Sequence, residues 1–156
     1  KKREVYLMPK ASVKRKINCF KKDLISLVLN IEDYPSFIPY CLNAKIYENK
    51  IDGNIQNIVA DLTIGKGLFK DTYKSDVIYK KAEDRIIVKN LDGPLKYLNN
   101  QWHFKNLDKG TEVSFEVDFE LKNQFLNIFM TKSFKFGLDK IADAFQKRAE
   151  ELFQSS

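Results

Sequence analysis

The hydrophobic period of this chain changes from two residues to between three and four near Asn123, and that switch limits the folds open to it. From Leu42 to Leu121 apolar and polar side chains alternate, with turn signals about every 8–14 residues, the pattern of an antiparallel meander. In Val113-Ser-Phe-Glu-Val-Asp-Phe-Glu-Leu121 the valines, phenylalanines and leucine point one way, and Ser114, Glu116, Asp118 and Glu120 the other. Similar alternation predicts strands over Leu42–Ile51, Asn54–Ile64, Leu68–Tyr79, Asp84–Leu91 and Leu95–Leu107. Breaks fall at Asp52-Gly53, Gly65-Lys66-Gly67, Lys81–Glu83, Asp92-Gly93-Pro94 and Asp108-Lys109-Gly110. Ala11–Cys19, with β-branched Val13 and Ile17, predicts a leading strand. Lys22–Ile31 places Leu24, Leu27, Val28 and Ile31 at helical spacing, and Pro35 and Pro39 then force a short kinked turn. Beyond Asn123, Phe134, Leu138, Ile141, Phe145, Ala149 and Leu152 form a stripe at spacings of three and four. It predicts a helix from about Phe125 to Phe153, about 43 Å long, with Gly137 as a candidate kink. The resulting order is strand, short helices, six strands and long helix: an α+β architecture in which a curved antiparallel sheet wraps a C-terminal helix.

At 156 residues this is the length of one domain, with no linker or repeat to divide it. Residues 1–10 read as a basic extension and 11–154 as a single domain. Apolar runs such as Leu27–Leu29 fall far short of the roughly 18 residues that a membrane-spanning helix needs. Cys19 and Cys41 make neither a CxxC pair nor a disulfide framework, which fits reduced thiols in a cytosol-like compartment. The net charge of +6 is unevenly placed. Residues 1–22 hold nine basic side chains against Glu4 alone, whereas the rest of the chain is slightly acidic. Such an end suits an anionic surface, phospholipid head groups or RNA phosphates, through Lys10, Lys14, Arg15 and Lys16; it also suits a solvated arm. It lacks the apolar stretch of a secretory signal. The sequence begins at Lys1, and Met8 is an alternative natural start.

Catalytic signatures are thin. The one histidine, His103, lies between Trp102 and Phe104, so alternation sends it outward to solvent, away from those rings. HExxH and G-x-S-x-G are missing, and Gly65-Lys66-Gly67 lacks the spacing of a phosphate loop and reads as a hairpin turn. Glu116, Asp118, Glu120, Glu150 and Glu151 fall on solvent faces. The distinctive inventory is aromatic, with 12 Phe, 7 Tyr and 1 Trp. Phe69, Tyr73, Trp102, Phe104, Phe115 and Phe119 all take inward positions. A sheet curved around one helix leaves room there either for an apolar ligand or for a filled core.

Three segments resemble a known family: Tyr34-Pro-Ser-Phe-Ile-Pro-Tyr-Cys41, Asp92-Gly-Pro-Leu-Lys-Tyr-Leu-Asn-Asn-Gln-Trp-His-Phe104, and Val113–Leu121 leading into the long helix. In this order and spacing they are similar to the coenzyme Q-binding branch of the START-like, polyketide-cyclase-related superfamily. Bacterial members of that branch are also described as RatA, a ribosome association toxin. The resemblance spans about residues 9–153. It implies a helix-grip fold with a hydrophobic tunnel between sheet and long helix, and no catalytic residues. Tyr34, Pro35, Phe37, Ile38 and Pro39 would form the tunnel mouth, a role compatible with a rigid turn packed on the sheet. Trp102 and Phe104 would form its wall, and Leu95 stands where the family often has Phe. The inward aromatics Phe69, Tyr73, Phe115 and Phe119 and the helix residues Phe134, Leu138, Ile141 and Phe145 complete the expected lining.

The expected function is to bind or chaperone ubiquinone or a related polyprenyl lipid in support of respiratory electron transport. Ubiquinone is then a ligand, and no catalytic cofactor or metal is expected. The expected compartment is cytoplasmic or matrix-like, with peripheral contact on an anionic inner membrane. The alternative is RatA-like binding to the large ribosomal subunit, which would block subunit joining through the same basic residues. A tunnel lined by apolar groups favours lipid; a filled core beside a continuous basic face favours the ribosome.

Overall fold

The computed structural model describes residues 10–153, without the side chains of residues 10, 69 and 124–135. Residues 1–9 of the basic extension and the side chains of Lys10, Phe69 and Phe134 therefore lie outside the described residues.

The alternating segments form strands β1 (Lys10–Ile17), β2 (Cys41–Asp52), β3 (Ile55–Lys66), β4 (Phe69–Lys80), β5 (Arg85–Asp92), β6 (Leu95–Asn106) and β7 (Thr111–Leu121). They make one antiparallel sheet in the order β1-β7-β6-β5-β4-β3-β2. Consecutive hairpins build β2 to β7, and the first strand then pairs with the last, Val13 opposite Phe115 and Ile17 opposite Thr111. β1 and β2 are thus the two sheet edges, and the chain joining them carries α1 (Lys21–Leu29) and a 3-10 turn over Ile31–Ser36. The period of two fixes which side chains face the concave side: Ile58 and Ala60 on β3, Val77 on β4, Ile86 on β5, Trp102 and Phe104 on β6, and Val113 and Val117 on β7 are all buried.

Two helices close that side. α1 buries Leu24, Ile25, Leu27 and Val28. Its last amide, on Asn30, donates to the Ser26 carbonyl at 3.0 Å, and Ile31 passes into the 3-10 turn that accommodates Pro35. The helix is shorter than the apolar spacing predicts for that reason. α2 (Gln124–Phe153) runs 30 residues and buries Leu138, Phe145 and Ala149 along one face. Charge pairs hold its second half. Arg15 on β1 reaches Asp143 at 2.6 Å and Asp139 at 3.7 Å, and Arg148 meets Asp33 at 3.0 Å. No helix among the described residues is long and apolar enough to cross a membrane.

The expected helix-grip α+β architecture is the one observed, with strand ends shifted by one or two residues. At Gly65-Lys66-Gly67 the strand continues to Lys66, so the turn is Gly67-Leu68, with Gly67 at φ 62°. Gly110 is required where β6 turns into β7, because its φ is 78° and a Cβ there would run into the Ile17 carbonyl. The adjacent Thr111 hydroxyl donates to the Cys19 carbonyl at 2.9 Å and ties this turn to the chain leaving β1.

Candidate functional site

The concave face carries an aromatic cluster at its middle. Trp102 and Phe104 stack in parallel 6.4 Å apart, Phe115 lies 4.2 Å from the indole, and Phe145 of α2 meets it edge-on at 5.1 Å. Tyr34 and Phe37, from the 3-10 turn and just after it, pack edge-on against Phe145 at 5.4 and 5.3 Å. The proline-bracketed segment thus touches the long helix as well as standing over the sheet. Phe37 is also covered by the Arg148 guanidinium, 5.4 Å from its ring centre.

Two cavities flank this cluster. The smaller, about 30 Å³, lies on the side of β1 and α1 among Val13, Ile17, Leu24, Phe104 and Val113. It has room for about one water molecule and amounts to a packing defect. The larger, about 180 Å³, lies on the side of β3, β4 and β5. Its wall combines Tyr34, Ile38, Trp102, Phe115, Ile141 and Phe145 with Ala60, Leu62, Ile64, Val77, Ile86 and Val88, and with Val28, Ile31, Cys41, Ser75 and Asn100. No acidic or basic side chain is in that set. The two ionisable groups present stay neutral, because burial pushes both the Tyr34 phenol and the Cys41 thiol upward. The Tyr34 hydroxyl donates to the Val28 carbonyl. Asn100 is also engaged, its amide donating to the Glu116 carbonyl at 2.9 Å and its side-chain oxygen accepting the Trp102 indole N–H at 3.2 Å.

Of the residues singled out from sequence, Tyr34, Ile38, Trp102, Phe115, Ile141 and Phe145 line the larger cavity. The other described ones lie elsewhere. Phe104, only 1% exposed, belongs to the packed side. Phe37 backs Phe145 without lining the cavity, Leu138 is buried in α2, and Pro35 and Pro39 shape the turn from outside, Pro39 exposed. Tyr73 and Phe119 join a separate small cluster with Leu95 and Val117, nearer the β5–β6 turn. Arg15 differs most from expectation. It points inward, is committed to Asp143 and Asp139, and edges the small cavity, so it anchors α2 instead of facing an anionic surface. Lys14 and Lys16, alternating with it, are exposed on the outer face. His103 faces outward as expected, but it is half-buried between Arg85 and Ser114 of the neighbouring strands.

Reasoning from aromatics missed the aliphatic and small residues. Ala60, Leu62 and Ile64 alternate on β3 and Ser75 and Val77 on β4, so their shared face was available from the period of two. The size of the gap opposite them was not. Among the described residues no group of three or more His, Cys, Asp or Glu could hold a metal ion.

Residues 23–146 match the family model described as polyketide cyclase / dehydrase and lipid transport. The chain is 34% identical over 135 residues to the mitochondrial coenzyme Q-binding protein COQ10 of Dictyostelium discoideum, an alignment that takes in 84% of this chain but 64% of that protein's length. It is 31% identical over 136 residues to the ribosome association toxin RatA of Rickettsia prowazekii, covering 85% of this chain and 90% of that one. Among solved structures, the Zhui aromatase/cyclase from Streptomyces sp. R1128 superposes with a TM-score of 0.77 over 92% of this chain and 94% of that one, at 15% identity, which speaks to fold alone.

Proposed function

The chain belongs to the polyketide cyclase / dehydrase and lipid transport family, and from that premise we propose that it binds ubiquinone or a related isoprenoid lipid and holds it away from water. The observation that carries this reading is the uncharged, largely apolar cavity of about 180 Å³ between sheet and long helix. Among the described residues a charged ligand would meet no counter-charge there and would lose its hydration uncompensated. An isoprenoid gains about 0.8 kcal/mol for each CH₂ taken out of water. The cavity exceeds the roughly 150 Å³ that suffices for a benzene ring, so it accommodates a ring or a short stretch of chain. The similarity to a coenzyme Q-binding protein supports the same ligand class.

Binding without chemical conversion fits the lining. Proton transfer needs a group poised near the working pH, whereas Tyr34 and Cys41 are both shifted towards their neutral forms by burial. Association with the large ribosomal subunit, suggested by the similarity to RatA, remains the competing reading, and one experiment separates the two. Lipids extracted from the purified protein are identified by mass spectrometry while the same preparation is sedimented with large ribosomal subunits. Enrichment of an isoprenoid quinone or polyprenyl lipid over bulk phospholipid, without salt-resistant co-sedimentation, is the expected result. Co-sedimentation with no enriched lipid would transfer the function to the ribosome.

A further inference from the structure

One polar group in the cavity has no partner among the described residues. Ser75 is 7% exposed and lines the cavity. Among the described residues its hydroxyl makes no hydrogen bond. A buried hydroxyl left in this state is costly, and such groups call for explanation. The surroundings add two observations. Ala60 stands directly across from Ser75 on β3, so the two smallest side chains of this wall face the same space and form a recess. The register of β4 against β5 also shifts at this point: Lys74 pairs with Asp92 and Ser75 with Asn90, leaving Leu91 as the extra residue. Bulges of this kind re-aim the side chains beside them.

We propose that Ser75 is the head-group subsite of the cavity, donating a hydrogen bond to a neutral oxygen, such as a quinone carbonyl, on a ring seated in the recess beside Ala60. This rests on the lipid-binding reading and goes further, since it sets which part of the ligand enters. The ring enters and the isoprenoid chain trails outward. The uncharged wall selects against carboxylates and phosphates, so fatty acids and phospholipids are excluded while neutral oxygenated lipids are admitted. A pure hydrocarbon would fill the space but leave Ser75 unpaired, and a site built to pair with a polar group discriminates against ligands that lack one.

The test uses the full chain in detergent with two probes, a ubiquinone bearing two isoprene units and squalene, a hydrocarbon. Trp102 lines the cavity, so quenching of its fluorescence reads quinone binding, and displacement of the quinone reads squalene. Ser75→Ala should weaken the quinone about five- to tenfold, the loss of one hydrogen bond, and leave squalene unchanged. Ser75→Thr, which keeps the hydroxyl, should restore most of the difference. Infrared spectra of the bound quinone should show a carbonyl stretch lowered in the parent and in Ser75→Thr, but not in Ser75→Ala. Equal quinone affinity in the parent and Ser75→Ala, or equal losses for both probes, would overturn the subsite. A parent that binds squalene but no quinone would overturn it and leave lipid binding standing. A parent that binds neither would remove both.

Discussion

The two ends of the concave face are built by the same alternation and covered by the same long helix, yet one is packed and the other hollow. On the β1–β7 side, α1 lays Leu24, Leu27 and Val28 against Ile17, Phe104 and Val113, and about 30 Å³ is left over. On the β3–β5 side the sheet presents Ala60 and Ser75 at its centre, and about 180 Å³ stays open. Trp102, Phe115, Ile141 and Phe145 border both spaces and act as the partition. The difference lies in side-chain volume on the covering elements and the sheet, and no change of fold is needed to produce it. Stability should therefore reside mainly at the packed end and binding at the hollow one.

The largest effect that would sharpen this contrast is at Phe104. It is 1% exposed and in contact with the filled core, so Phe104→Ala should cost about 3–5 kcal/mol in chemical denaturation. Val88→Ala, at the hollow end, removes methyl groups that already face open space, and should cost less than about 1.5 kcal/mol. Equal losses would mean that the cavity wall is as tightly packed as the core, and the comparison would fail.

A smaller effect tests the wall of the hollow end at Tyr34, which lines the larger cavity. Its hydroxyl donates to the Val28 carbonyl, and burial holds its pKa far above the ordinary value of about 10. Tyr34→Phe should destabilise by about 1–2 kcal/mol at neutral pH, since it leaves that carbonyl without this donor. The pH dependence follows from the direction of the shift. The folded-state pKa is raised, so the stabilisation is complete below the unfolded pKa near 10 and is lost as pH climbs towards the folded value. Above about pH 10 the parent should therefore lose stability faster than Tyr34→Phe, by up to about 1.4 kcal/mol per pH unit. Thermal melts of the two proteins between pH 8 and 11 check this. Parallel curves would mean that the Tyr34 hydroxyl is open to water and this wall of the hollow end is not sealed.

The packed end was the more legible of the two in the sequence, for a physical reason. Alternation over β7 and the three-and-four spacing of Leu138, Ile141, Phe145 and Ala149 specify which faces meet, and a filled interface follows once they do. The hollow end depends on what is absent. Ala60 and Ser75 are unremarkable letters in their own strands, and only the pairing of β3 with β4 brings them together in one recess. Aromatic character also singles out Tyr73 and Phe119, which alternation does place inward but which pack into their own cluster with Leu95. For β1 the period of two was legible but its consequence was not. A run of basic letters suggests one surface, although alternate residues in a strand must point to opposite faces.

That strand supplies the smallest expected effect, and it tests whether the two ends act independently. Lys14 and Lys16 project from the outer face of the packed end, while Arg15 between them is held against Asp143 at 2.6 Å. If the outer pair attracts the protein to an anionic bilayer, Lys14→Gln/Lys16→Gln should weaken binding to vesicles containing phosphatidylserine by up to about 1 kcal/mol per charge at low salt. The difference should largely vanish near 1 M salt, where the screening length falls to about 3 Å. Arg15 must be left in place, because replacing it would loosen α2 and confound surface attraction with cavity shape. Stability should stay within about 0.5 kcal/mol of the parent, as for most exposed substitutions. Affinity for the two-isoprene quinone in detergent should not change, because apolar burial responds little to modest salt and the lysines face away from the cavity. Vesicle binding equal to the parent at low salt would make the pair a solvated face. Weakened quinone binding in detergent would show that the outer face of β1 reaches the cavity through α2, and that packed and hollow ends form one coupled unit.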